Sequence, residues 1–387
     1  MRIKTLKKFD NWCGSALLII FWPLARVLSK FSITTFLPAQ KICVLKVLGG
    51  GSLLIAYPSL KAIKNSHPDK KFVLVCSKEV SNYAGLCDLF DEIYEIDVSN
   101  FRNLFVTGFK AFHGAFRSKI IINIEMHSKM YVFFSFLTFS YSRICLFQTW
   151  NRWQKSYINK LLFFNSNSPV YVGYEQIAES LGSKPLKQSQ AITNFLNLFP
   201  LSSSIGKSNI GRILGVAPFC SDLCKERAFD LSELILVLAK EMESSDHIYS
   251  EIQIFGGTGD VSISPQIISA IQNTFPAVMV TDLVGKIPLT IVPIYLQKLD
   301  LLIAIDSGIN HLARLLDTPS LTYWGPTDPY LYLKDINPIK ERIKYQKIPC
   351  SPCVHITENA PCNGENVCMK QYVNPMMDTN RIWEIKD

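Results

Sequence analysis

Polar side chains suited to a phosphorylated ligand are concentrated between residues 301 and 329, in the run LLIAIDSGINHLARLLDTPSLTYWGPTDP. Asp306, Ser307 and Gly308 follow an apolar run directly, and His311 comes one helical turn later. The free N–H groups and positive dipole at the start of a helix suit an anion, and a histidine there can donate a hydrogen bond to a phosphate oxygen. Asp306 would repel an anion bound there, so we expect it to accept hydrogen bonds from hydroxyl groups of the ligand, or to fix the turn.

The elements around these residues favour a ligand site over simple helix capping. Residues 301–305 predict a buried strand, residues 309–316 a helix, and residues 320–324 a second strand that ends in a Gly-Pro-Thr-Asp-Pro turn. The carboxyl ends of strands in an open α/β sheet face the binding crevice. Asp306 or Ser307 alone could merely cap the helix, but two adjacent strand exits with polar groups indicate a binding site.

The order D-S-G-x-x-H-L-A, a strand, then W-G-P-T-D-P resembles the nucleotide-sugar site of glycosyltransferase family 9, which includes the bacterial heptosyltransferases of lipopolysaccharide core synthesis. The resemblance implies an α/β protein of GT-B fold, with two Rossmann-like domains whose parallel sheets face across a cleft. The C-terminal domain would bind the nucleotide-sugar donor. The resemblance also implies transfer with inversion at the anomeric carbon, with no catalytic metal or other catalytic cofactor.

Length and composition predict a folded protein of several domains. The chain has 387 residues, of which 48% are hydrophobic and 19% charged, and a net charge of +8; a disordered chain is excluded. Lys and Arg are scattered and no nucleic-acid motif is present, so we rank phosphate ligands or an anionic membrane surface above nucleic acid. We predict a membrane-associating segment (1–40), an acceptor-binding domain (41–200), a nucleotide-sugar-binding domain (209–345) and a Cys-rich tail with a terminal helix (346–387).

The N-terminal segment combines a basic start with a short apolar run. Residues 1–8 hold four Lys or Arg, and residues 13–28 are apolar apart from one Ser and Arg26. The uninterrupted apolar part contains Pro23 and is shorter than the roughly 20 residues that a membrane span needs. Two interpretations stay open: an interfacial helix pair on an anionic leaflet, or a hydrophobic helix packed on the domain. With either, we expect a bacterial cytoplasmic protein peripheral to the inner membrane.

The N-terminal half opens with the strand, glycine turn and helix of a Rossmann-like fold. Residues 42–47 predict a strand, residues 49–52 a Gly-Gly-Gly-Ser turn, and residues 53–66 a helix. Further strands are predicted at 72–76, 92–96 and 120–124. Family 9 members open similarly, with a basic residue at the end of the first strand and usually Gly-Asp before the helix. Lys46 and Gly51 match this pattern, and we place both in the turn on the acceptor side.

Ser52 stands where the heptosyltransferases carry the Asp proposed as their base, which is the main departure from the family pattern. A serine hydroxyl cannot accept a proton at neutral pH unless another group removes its own, so we predict that Ser52 binds the acceptor. Glu125 directly follows the predicted strand 120–124 and is our candidate base, because it should emerge at the same edge of the sheet. His127 is a weaker candidate. Glu125 could instead cap a helix that begins near Ser128.

Three further places match donor-binding positions of the family. Lys225 or Arg227, in the loop after the strand predicted at 211–218, corresponds to a basic residue that contacts the donor phosphates. A basic side chain there would offset the negative charge of a leaving diphosphate. The resemblance places Asp260 near the ribose, unless it only caps a helix. Lys286 matches the Lys of a Leu-x-Gly-Lys-Thr stretch and is a predicted donor ligand.

Four of the eleven cysteines form a cluster near the C-terminus: Cys350, Cys353, Cys362 and Cys368. Their spacing is typical of a knuckle closed by a metal ion or by disulfides, and a reducing cytosol favours a metal or free thiols. Similar tails recur in family 9 members. We therefore interpret the cluster as structural, with zinc as the candidate ion, and note that His355 could replace one thiol ligand.

Together these features predict an inverting glycosyltransferase. It would move a sugar, heptose in the best-known members of the family, from a nucleotide-sugar donor to a lipopolysaccharide-core or other lipid-linked cell-envelope glycan. One alternative is a nucleotide-sugar enzyme of the same fold that is not a transferase, such as an epimerase. Another is a sugar-nucleotide-binding protein that lost its activity with the change to Ser52.

Overall fold

The computed structural model describes residues 8–28, 39–125, 128–148, 154–200, 211–220, 225–244, 248–354, 356–357 and 360–374. The chain divides into two compact units, Met1–Ala191 (unit 1) and Ile192–Asp387 (unit 2).

Unit 1 is built on a six-stranded parallel sheet with the strand order β3-β2-β1-β4-β5-β6. Its strands are β1 (Ala39–Lys46), β2 (Lys71–Cys76), β3 (Glu92–Glu95), β4 (Ser118–Asn123), β5 (Ser142–Phe147) and β6 (Lys160–Phe163). Its helices are α1 (Ser15–Leu28, after a π-helical turn at Asp10–Gly14), α2 (Gly50–Ser66), α3 (Lys78–Cys87), α4 (Phe101–Ala115), α5 (Lys129–Leu137) and α6 (Val170–Ser180), and α7 (Gln188–Leu196) crosses the boundary to unit 2. The central strands are buried along most of their length because helices cover both faces of the sheet.

Unit 2 repeats this architecture with the strand order β12-β11-β10-β7-β8-β9. Its strands are β7 (Arg212–Ala217), β8 (Tyr249–Ile254), β9 (Met279–Asp282), β10 (Leu301–Ile305), β11 (Ser320–Trp324) and β12 (Glu341–Tyr345). Its helices are α8 (Leu231–Ser244), α9 (Ser264–Thr274), α10 (Val292–Leu296), α11 (Gly308–Leu315) and α12 (Val367–Lys370), with 3-10 turns at Lys225–Arg227, Thr258–Asp260 and Pro329–Leu331.

In both sheets the strand order reverses beside the first strand, between β1 and β4 in unit 1 and between β7 and β10 in unit 2. Loops that leave the two strands at such a switch point diverge to opposite faces and open a crevice at the carboxyl edge. The predicted α/β class, with two Rossmann-like parallel sheets, is confirmed. Both predicted strands of the motif region, β10 and β11, have the predicted bounds.

The N-terminal segment packs on unit 1 through one face of α1. Leu18 and Ala25 are buried in a cluster with α5 residues such as Phe133, and the Tyr157 hydroxyl donates a hydrogen bond to the Leu18 carbonyl. The turn before α1 is also tied down, because the Asp10 carboxylate accepts hydrogen bonds from the start of α5. By length and composition, residues Asp10–Leu28 could cross a membrane.

Candidate active site

Asp306 lies at the carboxyl end of β10, next to the switch point of unit 2, and is 5% exposed. Arg227 Nη1 lies 3.2 Å from its Oδ2, and His311 Nε2 lies 3.5 Å from its Oδ1. Burial would raise the pKa of Asp306, but the hydrogen bond from His311 and the charge of Arg227 hold it at about 2. Asp306 therefore stays ionised and holds the side chains of Arg227 and His311 in place.

The start of α11 presents buried polar atoms that the described part of the chain leaves without partners. Ser307 has extended backbone angles at the N-cap, yet its side chain makes no capping hydrogen bond. Its Oγ is buried and without a partner, as are both amide atoms of Asn310, a residue with 0% exposure. Leaving such a group unpaired costs about 1–3 kcal/mol, so these atoms indicate a ligand that completes the site.

Asn310 was missed by the sequence analysis. The signal for it was its position in the first turn of the helix after the Asp-Ser-Gly turn, one residue before His311. A side chain at that position is turned by the helix geometry toward the same end of the strand as Ser307. Only the burial of its amide distinguishes it from a solvated residue.

The other predicted donor residues of unit 2 have different surroundings. In the 3-10 turn Lys225–Arg227 the arginine contacts Asp306, whereas Lys225 is exposed. The Asp260 carboxylate accepts a hydrogen bond from the Gly257 N–H at 2.8 Å, which is the capping alternative considered above. Lys286 Nζ lies 2.7 Å from Asp282 Oδ2, and its side chain is 62% exposed.

The Cys-rich tail packs behind two loops of this site. The Cys353 N–H donates to the Pro326 carbonyl at 3.0 Å, and Asn366 Nδ2 donates to the Ala228 carbonyl at 3.0 Å, next to Arg227. A Cβ atom on Gly325 would lie 2.7 Å from Cys368 Sγ, so only glycine fits where the Gly-Pro-Thr-Asp-Pro loop meets the tail. The tail thus supports the loops after β7 and β11.

The four clustered thiols line one small cavity together with Glu226. Burial, with a smaller contribution from the neighbouring thiols, raises the pKa of Cys353 to about 11 and that of Cys368 to about 12. The ten cysteines that the structure describes are free of disulfides. Across the described residues, no three His, Cys, Asp or Glu side chains form a group arranged to hold a metal ion; His355 lies outside the described residues.

In unit 1, Glu125 lies at the switch point, two residues after the end of β4, and its side chain is 13% exposed. Its Oε1 lies 2.7 Å from Lys46 Nζ and accepts hydrogen bonds from the N–H groups of Val47 at 2.8 Å and Leu48 at 2.9 Å. These three contacts hold the Glu125 carboxyl group beside the first glycine turn. Ser128, and not Glu125, occupies the N-cap of α5.

Ser52 lies in the first turn of α2, which begins at Gly50 and so includes part of the predicted glycine turn. Its Oγ donates a hydrogen bond to the Gly49 carbonyl at 2.7 Å, and Gly49 adopts a positive φ of 76°. The structure therefore places Ser52, Gly51 and the Lys46–Glu125 pair at the same strand exit, as predicted. His127 lies outside the described residues.

Comparison with known proteins gives a family match over part of the chain and a fold. Residues 247–363 match the sequence model of glycosyltransferase family 9 (heptosyltransferase). No curated protein matches the chain in sequence. The chain is similar to a solved glycosyl transferase family 9 protein from Veillonella parvula DSM 2008, with 15% identity and a TM-score of 0.56, over 80% of this chain and 86% of that one.

Two proteins from E. coli are similar at the same level. ADP-heptose lps heptosyltransferase II has 14% identity and a TM-score of 0.58, over 86% of this chain and 99% of that one. Heptosyltransferase WaaC, solved with ADP, has 15% identity and a TM-score of 0.60, over 87% and 99% of the two chains. At this identity the likeness concerns the fold, and the predicted GT-B fold is confirmed.

Proposed function

We propose that the chain is a glycosyltransferase of family 9 that transfers heptose, with inversion, from an ADP-linked donor; the match of residues 247–363 to the family model supports this. The proposed acceptor is a lipopolysaccharide-core or related lipid-linked glycan of the cell envelope. The donor is inferred from solved relatives with ADP and with ADP-2-deoxy-2-fluoro heptose. The family pattern on the donor side is the part that this chain retains most fully.

The observation that carries the proposal is the polar group at the end of β10. Asp306 fixes Arg227 and His311 beside a helix N-terminus where Ser307 Oγ and the Asn310 amide are without partners in the described chain. A diphosphate supplies oxygen atoms for such donors and negative charge for the guanidinium. The charge of Arg227 offsets that of Asp306, so the helix dipole supplies further positive potential for the diphosphate.

In the proposed reaction, the acceptor hydroxyl oxygen bonds to the anomeric carbon as the bond from that carbon to the diphosphate breaks. The bonding electron pair leaves with the nucleoside diphosphate, whose charge the donor site stabilises. The hydroxyl proton passes to the Glu125 carboxylate. Ser52, in the adjacent turn, is positioned to hydrogen-bond the acceptor.

Substitution of Glu125 tests this assignment. With ADP-heptose and a core acceptor that lacks heptose, we expect Glu125→Gln to lower kcat at least a hundredfold while donor affinity is retained, because Glu125 lies in unit 1 and the donor residues in unit 2. Ser52→Ala is the matched control from the same turn and should raise the acceptor KM more than it lowers kcat. Unchanged turnover in Glu125→Gln would remove the base assignment.

The same assay separates the competing functions. Conversion of the donor sugar to an epimer without an acceptor would indicate the non-transferase enzyme. Donor binding without transfer or conversion in the unsubstituted chain would indicate a binding protein. Arg227→Met should weaken donor binding, with the exposed Lys286→Met as comparison; equal losses would mean that the lysine is also a donor ligand.

We further propose that the N-terminal segment holds the protein on the cytoplasmic face of the inner membrane, where a lipid-linked acceptor resides. Support comes from α1 and the turn before it: the buried face of α1 packs on α5, while its other face exposes Ile19 and Ile20 and the turn exposes Trp12 (81%). A helix fixed along one side fits an interfacial position better than a span.

We also propose that the four thiols that line one cavity move together around a structural zinc ion when it binds, because in the described chain they are not arranged to hold one. Cysteine ligands bind zinc as thiolates, so binding would release protons and stabilise the tail against the two loops. Purified protein should contain one zinc per chain, lost together with a drop in Tm on chelation. Four freely titratable thiols and no metal would overturn the zinc assignment.

A further inference from the structure

Helix α4 exposes large apolar side chains along one face, a feature that the catalytic site does not use. Phe105 is 77% exposed, Phe109 64% and Val106 46%. These residues recur at helical spacing, while the opposite face buries Ala111 and Ala115 against the sheet. Single exposed apolar residues are ordinary, but a row of them marks an interaction surface.

The exposed face of α4 belongs to the same layer as α1. Helices α4 and α5 pack on one face of the unit 1 sheet, in a cluster that includes Cys43 and Ile121. Helix α1 packs beside α5 on that same face. Its cluster includes Cys145, which is paired with Asn123 in the sheet, and Asn123 lies two residues after Ile121. Residues two apart in a strand point to the same face, so both clusters lie on one side of the sheet.

Ring contacts connect the three helices. Phe112 of α4 lies 6.3 Å from Phe134 of α5, and Phe133 of α5 lies 5.1 Å from Phe21 of α1. The exposed faces of α1 and α4 therefore flank α5 on the side away from the sheet. The apolar surface comprises Trp12, Ile19, Ile20, Trp22, Leu24, Val27, Phe105, Val106 and Phe109.

Helices α1 and α4 carry charged residues of one sign, and the acidic residues nearest to them are Asp10 and Asp97 in the segments before them. Neither α1 nor α4 contains Asp or Glu, and the sequence has none between residues 98 and 124. Exposed basic residues accompany the apolar ones, with Arg26 on α1 and Arg102 and Lys110 on α4. Unit 1 as a whole holds 24 Lys and Arg against 11 Asp and Glu, a net +13, whereas unit 2 holds 16 against 21, a net −5.

We propose that the α1 and α4 faces together form a docking surface for an anionic phospholipid bilayer. Aromatic side chains that enter the interface, with Lys and Arg that meet lipid phosphates, are the composition of interfacial helices. The positive charge complements anionic headgroups. The inference extends the membrane association proposed above for the N-terminal segment to a second helix, which fixes the orientation of unit 1 on the membrane.

Vesicle co-sedimentation of the full chain tests the surface. We expect binding to phosphatidylglycerol-containing vesicles and little to pure phosphatidylcholine. The double variant Phe105→Ser/Phe109→Ser should lower the vesicle partition coefficient at least tenfold. The double variant Arg102→Gln/Lys110→Gln should lower it about fivefold for each positive charge removed. Controls in unit 2, Ile248→Ser/Ile339→Ser and Lys240→Gln/Lys347→Gln, remove an equal number of exposed large apolar or basic residues and should leave binding unchanged.

Two further readouts keep this test separate from the proposed reaction. Tm should be unchanged in the α4 variants because the replaced side chains are exposed, and transfer to a detergent-dispersed acceptor should be retained. Binding unchanged in Phe105→Ser/Phe109→Ser but lost in Trp12→Ser/Ile19→Ser would overturn the role of α4 and leave the N-terminal segment as the anchor. Equal losses in the control variants would overturn the docking surface as a whole.

Discussion

At Asp306, burial and ion pairing shift the pKa of the carboxyl group in opposite directions. Its pKa in the folded chain is about 2, below the ordinary 3.8, so its pairing stabilises the fold above pH 4 and is lost as pH falls toward 2. The shift corresponds to about 2 kcal/mol of unfolding free energy. Urea midpoints should show the unsubstituted chain more stable than Asp306→Asn at pH 6, with a difference that narrows by pH 3. A difference independent of pH would contradict this linkage.

Asn310 should show opposite effects on stability and on binding. Its amide is fully buried without partners, so Asn310→Leu, of similar volume, removes an unsatisfied group and should raise the free energy of unfolding by about 1 kcal/mol. The same change should weaken donor-nucleotide binding about tenfold or more, measured by titration calorimetry. Asn197→Leu, at an exposed position in the turn after α7, is a comparison that should change neither property much. Unaltered affinity in Asn310→Leu would exclude the amide from the site.

At the scale of elements, the N-terminal turn serves as a cap for another helix. Asp10 Oδ1 accepts hydrogen bonds from Ser128 Oγ at 2.6 Å and the Met130 N–H at 2.9 Å, and Oδ2 accepts one from the Lys129 N–H at 3.1 Å. A carboxylate at a helix N-terminus satisfies free N–H groups and the dipole. The interaction spans more than a hundred residues, so local sequence patterns do not predict it.

Asp10→Ala should therefore lower the free energy of unfolding of unit 1 by about 1–2 kcal/mol, as the loss of a helix cap does. Asp10→Asn should recover part of this because the amide oxygen also accepts. Asp69→Ala, which breaks only an exposed ion pair with Lys70, is the control and should cost under about 1 kcal/mol. Denaturant unfolding measures all three; equal effects of Asp10→Ala and Asp69→Ala would mean that the cap contributes nothing.

At the scale of the whole molecule, each unit has its own parallel sheet and its own hydrophobic clusters. Units with separate cores can unfold in separate transitions. Calorimetry should resolve two unfolding transitions. The donor nucleotide should raise the Tm of the transition that belongs to unit 2, because at one hundred times Kd it adds about 2.7 kcal/mol to the free energy of unfolding of that unit. A single transition that shifts as a whole would show that the units unfold together.

The sequence by itself determined the fold class and the type of the donor site. Continuous apolar runs alternating with helical patterns specify buried parallel strands, and the turn after β10 is local, so Asp306, Ser307 and Gly308 could be assigned from their order alone. The tertiary structure decided which distant residues join them. Arg227, rather than Lys225, contacts Asp306. Glu125 contacts Lys46, which is 79 positions away in the sequence. The strand order of each sheet brings these pairs together. Burial likewise depends on the tertiary structure. The Asn310 amide without partners and the exposed faces of α1 and α4 result from what packs around each helix, which the spacing of apolar residues in the sequence does not show.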